Sequence, residues 1–236
     1  MQDPRRFRTV SEIPGPRVTN YLQEKPASPI SVFSLSVYPR KRMTIGLTGG
    51  MGCGKSTAAR LFEEMGFARL DSDEAVRDRI LTSPEVESLA VTLFGPDVLA
   101  PTGRIDRAAL ARAVFGEPEL LRKWEAEIHP RLYALWEQEI AADSERPLLI
   151  EVPLLHEKRL ENWFDFIVCV TTTSARQYAR LQERGLSQTL AEARISKQLP
   201  LATKTELADF VLSNDGTLHF LRDQVAYLIA RLGNNR

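Results

Sequence analysis

The chain has 236 residues, enough for one ordinary domain with an insertion. Its hydrophobic fraction of 43% and charged fraction of 26% are typical of a soluble globular protein. Its 31 basic residues balance 31 acidic ones, so the net charge gives no indication of a nucleic-acid partner. The longest apolar stretch near the start is too short to span a membrane. The two cysteines, Cys53 and Cys169, form no CxxC pair and are expected to be free thiols in a reducing cytoplasm.

The first 42 residues differ from the rest in composition. They hold six of the 14 prolines and eight basic against three acidic residues, with neither a helical nor an alternating apolar period. We expect an extension that does not pack, either an idle arm or the product of a start codon placed before Met43. A transit peptide is disfavoured because prolines oppose its amphipathic helix. The catalytic domain is expected to span residues 43–236.

From Met43 onward, apolar strands alternate with helical stretches. The pattern predicts strands at residues 44–48, 67–70, 147–152, 166–170 and 210–212. Strands separated by helices predict an α/β fold, a doubly wound, parallel, five-stranded sheet with helices on both faces. Residues 74–146 look wholly helical, which is too long for one crossover helix, and should form a helical subdomain beside the sheet.

A complete phosphate-binding loop follows the first strand. Residues 49–56 match G-x-x-x-x-G-K-[ST], between a predicted strand and a predicted helix. Glycines let backbone N–H groups turn toward a phosphate chain, Lys55 can reach the β- and γ-phosphates, and the Ser56 hydroxyl suits Mg²⁺. The chain has neither an Asn-Lys-x-Asp guanine motif nor a Leu-Ser-Gly-Gly-Gln motif, which disfavours switch GTPases and ABC-type ATPases.

Acidic residues lie at the ends of the second and third strands. Glu151 ends the third strand, where a carboxylate can organise Mg²⁺ and its waters; the alternative is an ordinary charge at a strand end. Asp71 and Asp73 follow the second strand, and carboxyl ends of parallel strands face the ligand crevice. Asp71 or Ser72 is also a candidate cap for the next helix. We expect a capping role for Asp71 and a functional role for Asp73.

Basic residues follow the fourth strand. Arg176, Arg180 and Arg184 recur every four residues and share one face of a helix predicted to begin near Ser174. Arg194, Lys197 and Lys204 follow in a polar helical stretch. The alternative is a solvated helix face, but after a phosphate-binding loop we interpret residues 180–205 as a lid that closes over phosphates.

Several motifs together resemble the dephospho-CoA kinase family. They are residues 44–57, then Leu70-Asp71-Ser72-Asp73, Ile105-Asp106-Arg107, His129-Pro130, Val152-Pro153-Leu154-Leu155 and Gln198-Leu199-Pro200-Leu201. The resemblance covers essentially all of the chain from Met43. It departs from the family pattern at Cys53, where serine is common, and at Glu151, where aspartate or an apolar residue is common.

The resemblance implies transfer of the ATP γ-phosphate to the ribose 3′-hydroxyl of dephospho-CoA, the last step of coenzyme A synthesis. It implies Asp73 at the acceptor hydroxyl as general base or orienting acceptor, Arg180 or Arg184 with Lys55 on the transferred group, and Arg107 on the substrate's phosphates within a CoA-binding helical subdomain. Mg²⁺ is expected at Ser56 from the loop motif and at Glu151 from its place at the end of the third strand. ATP-binding residues are then Gly49, Gly50, Met51, Gly52, Cys53, Gly54, Lys55, Ser56 and Thr57, with Arg194 from the lid.

Two other functions stay open at this point. A nucleoside or nucleotide kinase would use the same loop and lid with a different acceptor pocket, and a non-enzymatic nucleotide-dependent switch would show little acceptor-dependent turnover. His129 is more typical of a structural histidine than of a catalytic one, and Pro130 predicts a kink or a helix start. We expect a monomer or a small homo-oligomer with dephospho-CoA as its partner, and neither nucleic acid nor a membrane.

Overall fold

The computed structural model describes residues 42–142 and 145–233. The N-terminal extension predicted from the sequence therefore lies, except for Arg42, outside the described residues. No helix in the described ranges has both the length and the apolar character needed to cross a membrane.

Five parallel strands form the centre of the domain. They are β1 (Thr44–Gly49), β2 (Ala68–Asp71), β3 (Leu148–Glu151), β4 (Phe166–Thr171) and β5 (Phe210–Ser213). Their order across the sheet is β2-β3-β1-β4-β5, with the wholly buried β1 in the middle. All five predicted strands are confirmed to within one or two residues, because strands buried on both faces are continuous apolar runs that the sequence makes visible.

Helices cover both faces of the sheet. They are α1 (Lys55–Glu64), α2 (Ser72–Ala75), α3 (Pro84–Phe94), α4 (Arg107–Gly116), α5 (Pro118–Ala141), α6 (Ser174–Glu183), α7 (Gln188–Ile195), α8 (Leu201–Leu207) and α9 (Leu218–Gly233). Alternate residues of β3 face opposite ways: Leu149 packs in the cluster that contains α1 and α9, while Leu148 and Ile150 pack in the cluster that contains Trp136 of α5.

The segment between β2 and β3 departs from the prediction in two places. It is not wholly helical, because Leu99 and Ile105 form an antiparallel bridge around a turn. Pro101 and Gly103, which has φ of 79°, favour a turn over a helix there. Pro130 does not start a helix but lies inside the 24-residue α5. The half-buried His129 ring lies 5.8 Å from that of Tyr133, and burial lowers the pKa of His129.

The folded part begins before Met43. Arg42 is buried, and its guanidinium donates from Nε to the Arg146 carbonyl (2.7 Å) and from Nη1 to the Glu139 carbonyl (2.6 Å). It thereby ties the end of α5 to the chain that enters β1. The boundary at Met43 predicted from the sequence leaves this contact out, because a single arginine next to a proline-rich stretch carries no periodic signal.

We expect two truncations that differ only by Arg42 to differ in stability. Removing residues 1–41 should leave the melting temperature unchanged, whereas a chain that begins at Met43 should lose about 1–3 kcal/mol of unfolding free energy with the two charged hydrogen bonds of Arg42. Thermal and urea melts of the two truncations, with Arg42→Ala in the full chain as the matched control, measure the difference. Equal stability of both truncations would contradict a structural role for Arg42.

Candidate active site

The phosphate-binding loop connects β1 to α1 at the carboxyl edge of the sheet. Two of its glycines are required by their surroundings: Gly49 and Gly54 have φ of 142° and 92°. A Cβ atom at Gly49 would lie 2.3 Å from the Val170 carbonyl oxygen, and one at Gly54 would lie 2.1 Å from Asn214 Nδ2. The loop is therefore packed directly against the ends of β4 and β5.

Lys55 folds back over this loop. Its Nζ donates to the carbonyl oxygens of Gly49 and Gly50, both at 3.0 Å. Burial lowers the pKa of Lys55, although the neighbouring Cys53 opposes that shift. The ammonium group is thus partly desolvated at the loop. The two carbonyl oxygens compensate its positive charge only in part, and a bound phosphate would compensate it more fully.

Side chains from later segments grip the loop from outside. Met51 is held on both sides, since its N–H donates to Gln198 Oε1 (3.2 Å) and its carbonyl accepts from Gln177 Nε2 (2.6 Å). The Cys53 carbonyl accepts from Asn214 Nδ2 at 2.9 Å. The Cys53 thiol is fully buried, and burial raises its pKa, so it is a packed thiol rather than a reactive one.

Among the arginines predicted for the site, Arg180 contacts the loop. Its Nη1 lies 3.3 Å from the Cys53 carbonyl oxygen, and its Nη2 donates to the Asn214 carbonyl at 2.8 Å. Arg184 follows the end of α6 and Arg194 lies in the last turn of α7, and both are exposed. Lys204, which the sequence grouped with them, is fully buried in an ion pair with Glu157 (2.8 Å) and so differs from a solvent-facing lid cation.

An ion-pair network occupies the ends of β2 and β3. Arg69 Nε donates to Glu151 Oε1 at 2.6 Å, and Arg69 Nη2 lies 3.3 Å from Asp71 Oδ2. Asp71 Oδ1 also accepts from the N–H groups of Asp73 (2.9 Å) and Glu74 (3.1 Å), which confirms that it caps α2. Burial raises the pKa of Glu151, and the hydrogen bond from Arg69 opposes that rise.

Asp73 stands apart from this network. Asp73 is the second residue of α2, directly after β2, and is exposed at the edge of the sheet that carries the loop. Surrounding protein desolvates the carboxyl group and raises its pKa; the negative charge of Asp71 adds to the rise and the positive charge of Lys55 opposes it. The two groups are therefore close enough for the charge of Lys55 to act on Asp73.

A cleft lined by arginines begins one turn beyond Asp73. It has a volume of about 150 Å³ and is lined by Arg77, Asp78, Leu81, Thr82, Glu87, Arg104, Ile105 and Arg107. Arg77 pairs with Asp78 (2.6 Å) and Arg104 with Glu87 (3.2 Å). Arg107 is exposed and opens α4 directly after its cap, Asp106, whose Oδ1 accepts from the N–H of Ala108 at 2.8 Å. Two of the three guanidinium groups are paired with carboxylates of the lining, and Arg107 gives the lining one more positive than negative side chain, which suits an anionic ligand.

The oxygen donors at this edge fit Mg²⁺ bound through a nucleotide. No group of three or more His, Cys, Asp or Glu side chains that could hold a metal ion occurs among residues 42–142 and 145–233. Mg²⁺ in kinases takes one or two protein oxygens and fills its remaining positions with phosphates and waters, which agrees with the few donors present here. The Ser56 hydroxyl lies at the start of α1, while Glu151 has one oxygen engaged by Arg69.

A family model places the chain among known proteins. The model of dephospho-CoA kinase matches residues 43–219. The chain belongs to the dephospho-CoA kinase family. The dephospho-CoA kinase of Geobacillus kaustophilus is 37% identical over 191 residues, which cover 79% of this chain and 95% of the relative. That of Bdellovibrio bacteriovorus is 37% identical over 183 residues, covering 76% of this chain and 91% of its own.

Solved structures agree in fold. The crystal structure of TT1252 from Thermus thermophilus is 35% identical, has a TM-score of 0.71 and covers 82% of this chain and 99% of its own. The dephospho-CoA kinase from Campylobacter jejuni is 23% identical with a TM-score of 0.57, and covers 81% and 97% of the two chains, a likeness that concerns the fold. The predicted family and the parallel α/β kinase fold are both confirmed.

Three residues that contact the loop were not assigned a role from the sequence. Gln177, Gln198 and Asn214 are neutral amides, which belong to no charge pattern and no phosphate motif. Asn214 follows β5, so the rule that selected Asp71 and Asp73 at the end of β2 would also have selected Asn214. Gln198 was visible as part of a family motif, but its contact with Met51, 147 residues earlier, appears only in the folded chain.

Proposed function

We propose that this member of the dephospho-CoA kinase family transfers the γ-phosphoryl group of ATP to the 3′-hydroxyl of the ribose of dephospho-CoA, giving coenzyme A and ADP. The observation that carries the proposal is the position of Asp73, exposed at the same edge of the sheet as Lys55 and within reach of its charge. A donor loop and a base at one edge suit phosphoryl transfer to an alcohol.

The residues around the loop have separate tasks in this proposal. The amides of residues 49–57 and Lys55 hold the β- and γ-phosphates, and Arg180, already at the loop, is the stronger candidate for the transferred group than the exposed Arg184. Arg194 would join them only if α7 approaches the loop. Asp73 would accept the proton of the 3′-hydroxyl while the hydroxyl oxygen attacks the γ-phosphorus of ATP and ADP leaves.

Magnesium would be held by Ser56 and the nucleotide phosphates. When bound, Mg²⁺ neutralises charge on the β- and γ-phosphate oxygens. Glu151 remains a candidate for orienting the waters of the ion through its second oxygen, since Oε1 is occupied by Arg69. We expect the reaction to take place in the cytoplasm.

Dephospho-CoA carries a pyrophosphate next to its ribose, and the arginine-lined cleft is suited to it. The cleft begins at Arg77, one turn from Asp73, so an anion there would leave the attached ribose near the proposed base. Arg104 and Arg107 also line this cleft. In this arrangement the segment between β2 and β3 is the CoA-binding subdomain. Within the predicted lid, residues 180–205, the exposed stretch 184–197 would be the part that closes, because Lys204 is buried in its ion pair with Glu157.

Arg107→Ala should raise KM for dephospho-CoA by about tenfold, as expected for one charge-assisted phosphate contact, with KM for ATP unchanged. Arg112→Ala, an exposed arginine on the same helix, is the matched control and should change neither constant. Steady-state kinetics with each substrate varied in turn measure both. An equal effect of the two substitutions would contradict a specific role for Arg107.

Acceptor screening tests the function as a whole. ADP release should require dephospho-CoA and should stay near background with nucleosides and nucleoside monophosphates. A nucleoside as the best acceptor would favour a nucleotide kinase of the same fold, and ADP release that no acceptor stimulates would favour a nucleotide-dependent switch.

A further inference from the structure

Two motifs with no assigned role meet beside the phosphate-binding loop. One is the turn after β3, which includes Pro153 and Glu157; the other begins at Gln198 and runs into α8. Glu157 Oε1 accepts from the Leu199 N–H at 2.9 Å and from Lys204 Nζ at 2.8 Å. Lys204, fully buried, also donates to the Pro153 carbonyl at 2.8 Å. The chain from residue 199 to residue 204 is therefore fixed to the sheet.

The contact between the turn after β3 and the start of α8 contains a buried ion pair, in which Lys204 neutralises Glu157. Burial opposes ionisation of Glu157, but Lys204 and the Leu199 N–H outweigh it and hold the pKa of Glu157 below its ordinary value. The Pro153 carbonyl lies 3.4 Å from the Thr48 hydroxyl, next to the first glycine of the loop. The contacts of Lys204 therefore extend, through the Pro153 carbonyl, to the end of β1.

The chain before Gln198 is built differently. In residues 184–197, which we call the α7 segment, Ala191 is the single buried residue and most side chains are exposed. Arg194 and Lys197 are exposed cations in this segment. Few buried apolar contacts make such a segment easier to open than the sheet beneath it. Gln198 thus lies between a loosely packed segment and a fixed one.

Gln198 also contacts the phosphate-binding loop. Its Oε1 accepts from the Met51 N–H, and Gln177 from α6 holds the Met51 carbonyl on the other side. Gln177 lies in the first turn of α6, seven residues before the α7 segment, and Gln198 directly follows that segment, so the chain on both sides of the α7 segment is bonded to one loop residue. A shift of Met51 therefore changes the support at both ends.

We infer that Gln198 is a positioning residue that sets the placement of the α7 segment relative to the phosphate-binding loop through its bond to Met51. The inference rests on the proposed binding of nucleotide in that loop. It adds a specific consequence: without the acceptor at residue 198, nucleotide still binds, but the cations of the α7 segment are less often placed over its phosphates.

Gln198→Leu removes the acceptor at similar size, and Gln182→Leu, an exposed glutamine in α6, is the matched control. In the full chain without nucleotide, trypsin should cut after Arg194 about fivefold faster in Gln198→Leu, the shift in opening that one neutral hydrogen bond supplies. In the kinase assay, kcat should fall by about the same factor with KM for ATP within about twofold. Fragment masses and initial rates measure both effects.

A second substitution separates placement from general damage. Gln198→Glu keeps a hydrogen-bond acceptor for the Met51 N–H, so it should restore slow cleavage after Arg194 and most of kcat, while its charge raises KM for ATP. Wild-type cleavage rates in Gln198→Leu, an equal effect of Gln182→Leu, or no rescue by glutamate would overturn the inference. The cleavage experiment uses no phosphoryl acceptor. It can therefore support the inference even if dephospho-CoA proves not to be the substrate.

Discussion

Lys55→Ala should reduce turnover by at least about a hundredfold, the scale of losing one preorganised charge at a developing anion. Its Nζ already lies at the loop, 3.0 Å from the carbonyl oxygens of Gly49 and Gly50, where a bound phosphate would meet it. Melts with and without ATP, together with initial rates, measure the effect. ATP should raise the melting temperature of the wild type and fail to do so in the variant.

The same substitution should cost little stability without ATP. Burial lowers the pKa of Lys55 in the folded chain, so the folded state binds fewer protons than the unfolded state at pH values between the two pKa values. Burial therefore disfavours the charged form of Lys55 in the folded chain, and the stability of the wild type should rise with pH in that range. Lys123→Ala, an exposed lysine on α5, is the matched control. Near-normal turnover in Lys55→Ala would contradict the assignment of the loop.

Asp73→Asn should lower kcat by roughly a hundredfold or more, because asparagine keeps the shape of the side chain but cannot take the hydroxyl proton. Asp71→Asn should cost much less rate, since an asparagine oxygen can still accept from the N–H groups that Asp71 caps. Steady-state kinetics of both variants, with direct ATP binding and thermal melts, measure the contrast. A larger loss of kcat in Asp71→Asn would reverse the two roles.

The pH dependence gives a second test of the same pair. A base must be ionised, so kcat should fall as the pH drops through the pKa of Asp73, and desolvation together with Asp71 places that fall at a higher pH than for an ordinary aspartate. Asp71→Asn removes the second contribution and should move the acid limb to lower pH. Asp73→Asn should abolish it. An acid limb unchanged in Asp73→Asn would assign it to another group.

The sheet and the loop could be predicted because their signals are local. A continuous apolar run such as residues 147–152 indicates a buried strand, and the loop motif is contiguous. The cap at Asp71 followed from its position before a helix. The turn between Leu99 and Ile105 was missed because the surrounding helical pattern outweighed Pro101 and Gly103, although those two residues do indicate a turn.

The contacts that shape the loop could not be predicted from local pattern. The Arg69–Glu151 pair joins residues on adjacent strands 82 positions apart, and its register depends on β2 lying beside β3. Charge spacing grouped Arg180 with Arg184, but only the fold shows that Arg180 faces the loop. Lys204 lies in a polar stretch, which predicts an exposed side chain. It is fully buried because Glu157 and the Pro153 carbonyl supply partners for its ammonium group.

The position of the new phosphate is the measurement that tests the proposed reaction most directly. We expect incubation with ATP and dephospho-CoA to yield one product, with a phosphomonoester on the 3′-carbon of the ribose by phosphorus-31 and proton NMR, formed in equal amount to ADP. Asp73→Asn should give the same product slowly. A phosphate at the 2′-position or on the pantetheine end, or ADP formed without any phosphorylated acceptor, would contradict the account.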